Sequence, residues 1–203
     1  MVDGLRGLHC GFYTWATVKL YYSVFYSLRA ALAADRICVF YVKTTPYWIS
    51  CAVGENGVKG SGTTHIFVLQ LFAKLNPTHS FVTQKIDSEP ALDWIIAKRL
   101  ASNYHVARFT EPLAPVHFRH VETYGIRRLV IAYLGDRAGI YTFDKDHAML
   151  SLPLASLVYA SAVAKGLRAV RIATEELAVL TSECRDDAGP LTQMASFFRD
   201  FAA

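Results

Sequence analysis

The sequence predicts a mainly α protein: a single helical domain over residues 1–203, with a small β-hairpin insertion near residues 37–60 and additional C-terminal helices. Three observations predict it. The 203 residues are 53% apolar and only 19% charged, which allows one sizeable core and argues against disorder. Tyr13–Ala34 and residues 88–105 carry helically spaced apolar residues with breakers at their ends. Between them, β-branched and aromatic runs broken by turn residues read as short strands.

Taken in order, Tyr13–Ala34 places Trp15, Val18, Tyr22, Phe25 and Leu32 on one helical face and Lys19, Ser23 and Tyr26 on another. Its aromatics exceed one stripe, so a central helix buried on several sides is expected. Residues 37–42 and 47–53 read as strands separated by Thr44-Thr45-Pro46, and Asn56-Gly57 as a tight turn. A helix over residues 64–75 ends at Asn76-Pro77. Ser88 is expected to cap the next helix, with Pro90 in its first turn and Leu92, Ile95, Ile96 and Leu100 on its apolar side. A long helix follows over residues 116–134, then a short strand over 138–143 and a helix over 144–165 divided or kinked at Pro153. A helix over 167–185 and a short one after Pro190 complete the chain.

The most apolar long stretch, residues 11–34, contains Lys19 and Arg29 and reads as a buried helix, not a membrane span. With no secretory leader pattern, the expected location is cytoplasmic. Cys10, Cys38, Cys51 and Cys184 form no CxxC pair and are expected to be reduced and mostly buried.

Charge is concentrated. Residues 98–128 hold six lysines and arginines (Lys98, Arg99, Arg108, Arg119, Arg127, Arg128) against Glu111 and Glu122, a net of +4 that equals the whole chain's. Interleaved with Tyr104, Phe109, Phe118 and Tyr124, they form the kind of surface that pairs with phosphates and stacks bases. The competing reading is a solvated helix face with its rings turned inward.

Within this segment Arg99 and His105 stand with five residues between them. A guanidinium can stabilise charge growing on a phosphate, and an imidazole can take a proton from a ribose 2′-hydroxyl. Six residues of helix turn through about 600°, leaving the two side chains about 120° apart. They converge only if the helix frays near Ser102-Asn103 or if two copies pair. Read structurally, Arg99 is an exposed helix cation and His105 suits a helix C-terminus.

The run Tyr21-Tyr22-Ser23-Val24-Phe25-Tyr26-Ser27-Leu28-Arg29-Ala30-Ala31-Leu32, followed by a helix ending Arg99-Leu100-Ala101-Ser102-Asn103-Tyr104-His105, resembles the HEPN superfamily, in particular its YaaC-like branch, over about residues 13–134. The resemblance implies a HEPN-like helical bundle that dimerises. It also implies a metal-independent endoribonuclease of a microbial stress, toxin–antitoxin or anti-phage defence system, or a non-catalytic interaction subunit of such a complex. Carried over, the catalytic set is Arg99 and His105, with Asn103 supplying the polar group that the family places after the Arg and that Leu100 here does not. The nucleic-acid contacts would be Lys98, Arg108, Arg119, Arg127, Arg128 and Tyr104. The implied partners are RNA, a second copy or hetero-oligomeric protein partner, and no membrane; no cofactor or metal is implied.

Three other constellations are weaker. Gly57 to Gly62 has phosphate-loop spacing, but Thr63 stands where the lysine belongs, so the segment reads as a turn and N-cap whose helix start could hold an anion. His117 and His120 share a helix face without a third metal ligand, since Glu122 lies about 140° round from His117. Asp144, Asp146 and His147 cluster, and Asp144 reads first as a helix cap.

Overall fold

A computed structural model of the chain describes residues 1–102, 111 and 113–166. Its elements are α1 (Val2–His9), α2 (Tyr13–Ala34), β1 (Ile37–Val42), β2 (Thr45–Ser50), β3 (Val58–Lys59), α3 (Thr64–Leu75), α4 (Ser80–Thr83), β4 (Lys85–Ile86), β5 (Glu89–Pro90), α5 (Ala91–Leu100), α6 (Arg119–Tyr124), α7 (Ile126–Leu134) and α8 (Ala148–Gly166), with a 3-10 turn at Val116–Phe118. The protein is mainly helical with a small antiparallel sheet, as the sequence predicts.

The long helix α2 is the axis of the core. Leu20, Tyr21, Val24, Phe25, Leu28 and Leu32 are all at most 2% exposed, and only a narrow stripe through Trp15, Lys19, Tyr26 and Ala30 faces outward. It packs most extensively on α8, and also on α1, α3, α5 and β1. Burial of so many large side chains, each worth about 1.5–3 kcal/mol, makes this helix the chief source of cohesion. The expected faces are only partly right. Trp15 is 62% exposed and Ser23 is buried. Before α2, where the sequence predicts no element, Leu5 and Leu8 of α1 join the core.

Several boundaries differ from expectation for identifiable reasons. The first hairpin turns at Lys43-Thr44, with Val42 opposite Thr45 and Lys43 in the left-handed region at φ 55°. Pro46 therefore lies inside β2. The turn before β3 uses Gly54 (φ 87°) instead of Asn56-Gly57. β3 adds a third strand, pairing Tyr47 with Lys59. Ser88 does not cap α5: with Asp87 it forms the turn of the β4–β5 hairpin, both residues at positive φ. The predicted 116–134 helix is broken at Gly125, whose φ of 74° leaves helical space, so α6 and α7 are separate rods.

The predicted strand at 138–143 is instead a set of turns. The Asp136 carboxylate gathers the N–H groups of Ile140, Tyr141 and Thr142 at 2.9, 2.8 and 3.2 Å, which takes the donors a strand would offer to a neighbour. α8 begins four residues later than expected, at Ala148, and continues through Pro153. It is the one described helix long and apolar enough to cross a membrane, and half of that stretch is buried within the protein. The two helices expected after residue 166 lie outside the described residues.

Cys10, Cys38 and Cys51 are exposed, contrary to expectation. Cys38 faces Ile49 across the hairpin, and Cys51 donates its N–H to Arg36, so both sit on the sheet's outer side.

Candidate functional site

Arg99 leaves the last turn of α5, where Trp94 and Ile95 are buried and fix the helix against α2. Its guanidinium carbon lies 5.5 Å from the Tyr21 ring centre and 5.9 Å from that of Tyr22. The side chain is half-buried, not the exposed helix cation of the structural reading. Regular α5 ends at Leu100, with a wider π turn at residues 101–102.

His65, in the first turn of α3, completes this corner. Its ring packs edge-on against Tyr22 and Phe25, both at 5.1 Å, and the Tyr22 hydroxyl lies 3.4 Å from its Nε2. Its Nδ1 is buried without a hydrogen-bond partner. Burial, and then the Arg99 charge, hold the imidazole below its ordinary pKa. Burial pushes the Tyr21 phenol up to about 12, against the opposing pull of Arg99. The corner therefore presents one permanent cation, a neutral imidazole and the un-ionised Tyr21 phenol. It is suited to seating an anion beside a stacked ring.

The glycine-rich segment before α3 has a packing role. A Cβ on Gly60 would lie 2.1 Å from the Phe67 ring, so only glycine admits this approach. The first-turn N–H groups of α3 have no intrahelical acceptor, and Thr63 gives them no side-chain cap.

The remaining predicted residues are distributed along the second half of the chain. Lys98 lies 5.0 Å over Trp94. Arg119, Arg127 and Arg128 are exposed, and Arg128 stacks 5.6 Å over Tyr124. Asn103, Tyr104, His105 and Arg108 lie outside the described residues. The two acids of the segment reach back to the start of α2: Glu111 accepts from Thr14 N–H at 2.8 Å and Glu122 from the Tyr13 hydroxyl at 3.1 Å.

His117 and His120 diverge. His117 is largely buried against Phe118, and burial, then Lys98, lowers its pKa to about 4. His120 instead meets His147, at a ring separation of 4.1 Å. Among the described residues no three His, Cys, Asp or Glu side chains gather as metal ligands.

Sequence reasoning missed His65 and the His120–His147 contact. His65 carries no spacing signal, because its partners come from α2 and α5. His147 is visible in sequence only as a neighbour of Asp144 and Asp146; the fold turns it towards α6 and α7. The chain matches no family model, no curated protein and no solved structure.

Proposed function

We propose that the protein is a HEPN-like, RNA-binding helical bundle in which Arg99 is the central phosphate contact. In this reading Arg99 and His105, assisted by Asn103, form a metal-independent endoribonuclease site of a microbial stress or defence system. The observation that supports it is the seating of Arg99 against Tyr21 and Tyr22 beside neutral His65. A guanidinium fixed on aromatic faces is pre-oriented for a phosphate, and the neighbouring rings suit an unpaired base. His65 acts as a wall residue, since its Nε2 faces Tyr22 and its Nδ1 is buried. The catalytic base is accordingly His105, taking the 2′-hydroxyl proton as the ribose oxygen attacks phosphorus and the 5′-oxygen departs. In a dimer the second copy supplies the proton for that leaving group.

The test is cleavage of an all-ribose strand and its 2′-deoxy counterpart in EDTA. Cleavage of ribose alone, abolished by Arg99→Ala and by His105→Ala, is expected. Equal cutting of both strands refutes attack by the 2′-hydroxyl. A second reading, a non-catalytic interaction subunit of a multiprotein complex, is favoured by Phe12 (56%), Trp15 (62%) and Tyr26 (59%), which stand exposed at and along α2. No cutting of either strand by a protein that still binds partner chains would select it.

A further inference from the structure

A cleft of about 300 Å³ opens between α6, α7 and the turn that precedes α8, and it shares no residue with the Arg99 corner. It is lined by His120, Tyr124, Arg128, Tyr133, Tyr141 and His147, over a small apolar floor. We propose that this cleft is a binding site for a phosphate monoester whose ester group carries a flat ring.

The lining chemistry selects that ligand. The cleft presents a guanidinium, two imidazoles and three phenols, and no carboxylate lines it. Arg128 is anchored over Tyr124, which leaves its fork of N–H donors available in a fixed plane, the geometry that grips a phosphate through two oxygens. Tyr124 and Tyr141, 48% and 37% exposed, offer aromatic surface at the mouth, where a planar group can stack. The volume is at the lower end of the range for small-molecule sites, about 300–1,000 Å³. It suits one ring and one phosphate.

The proton inventory agrees. The Tyr133 hydroxyl lies 2.6 Å from His147 Nδ1. Burial, reinforced by Tyr141 and Asp144, keeps that phenol un-ionised. Burial and then His120 lower the His147 pKa, and the nearby Asp144 and Asp146 oppose this only in part. A neutral His147 that accepts at Nδ1 from Tyr133 carries its proton on Nε2. Tyr133 thus positions a donor on His147, whose ring lies 4.1 Å from that of His120.

The phosphate could come from a free small molecule or from the end of a nucleic-acid strand, and calorimetry on the full chain separates the two. Phenyl phosphate should bind, and inorganic phosphate should bind more weakly because it lacks the ring. Arg128→Gln should weaken phenyl phosphate binding by about tenfold, the loss of one charge-assisted pair. His147→Gln should do likewise, and Tyr133→Phe should weaken binding through His147 while leaving Arg128 in place. Arg128 is exposed, so its variant should keep the wild-type circular dichroism and melting temperature. Arg99→Ala should leave the binding unchanged, which separates this site from the RNA-cleavage reading. A 5′-phosphorylated oligonucleotide that binds about tenfold more tightly than its 5′-hydroxyl twin, with that difference lost in Arg128→Gln, would identify the strand end as the source. Equal binding of the two oligonucleotides alongside firm phenyl phosphate binding would identify a free metabolite. Absence of binding by every phosphate probe, or wild-type affinity in both Arg128→Gln and His147→Gln, overturns the proposal.

Discussion

Glu111 caps helix α2 through Thr14, which stands 97 residues earlier in the chain: its Oε1 accepts the Thr14 N–H at 2.8 Å. Phe12, the local N-cap residue of α2, has no side-chain acceptor to offer. A remote carboxylate therefore satisfies one of the orphan donors at the head of the helix on which the core is built, and its charge suits the positive end of the helix dipole.

This contact predicts a measurable loss. Glu111→Ala should destabilise the protein by about 1–2 kcal/mol, the range for removing a helix cap. The Glu111 pKa reflects burial, which raises it, outweighed by the Thr14 N–H bond, which leaves it lowered overall. A depressed carboxylate stabilises above its unfolded pKa, and the stability is lost as pH falls through the folded value. Urea titrations should show the cost of Glu111→Ala shrinking below about pH 4.5. A cost independent of pH would contradict the cap.

His117 sets a second pH window. Its pKa falls from 6.5 in the unfolded chain to about 4 in the folded one. Above 6.5 neither state binds the proton; between 6.5 and about 4 only the unfolded state does, so stability drops as pH falls through that window. Across the whole window the drop is about 3 kcal/mol. His117→Phe should flatten that part of the stability profile relative to wild type. Parallel profiles would show that His117 is not the group responsible.

Arg99→Ala should not be silent even where no RNA is present. Losing the contact with Tyr21 and Tyr22 should cost about 1 kcal/mol, between the values for exposed and desolvated cation–π pairs. Arg99→Lys should recover part of the stability without restoring a bidentate phosphate contact. Equal melting temperatures for wild type and Arg99→Ala would remove the stacking role.

Charge reversal addresses the basic segment. Arg119 and Arg127 are exposed, so changing both to Glu, together with Arg108, should abolish RNA binding and leave the melting temperature nearly unchanged. Affinities should be compared across a salt series. Wild-type affinity and salt dependence in the triple variant would refute the electrostatic reading.

Gly125→Ala tests the break between α6 and α7. A Cβ there meets nothing within 4 Å, so the penalty is purely conformational, arising from φ 74°. A loss of about 1–3 kcal/mol in thermal unfolding is expected, the cost of holding a side chain in a region that only glycine favours. A stabilised variant would mean that the two rods can merge.

Helix α2 and the strand β1 were legible in the sequence because their signals are local: a dense apolar period in one, β-branched residues in the other. The breaks were harder to read. Gly125 inside an otherwise helical pattern, Lys43 in a left-handed turn and the Asp136 carboxylate feeding three amides are each single-residue choices that periodicity averages away. Of the candidate site, Arg99 could be singled out by its place in a basic stretch. Its aromatic seat could not be foreseen, because Tyr21, Tyr22 and His65 reach it only through the packing of α2 and α3.

In an unbroken helix, the eight residues from His120 to Arg128 would hold these side chains about 12 Å apart along one straight axis. The break at Gly125 removes that fixed ruler, so the placement of His120 relative to Arg128 in the cleft depends on the torsions of one residue. Leu129 and Val130 remain buried on one side of the break and Val121 on the other, so each rod keeps its own footing in the core.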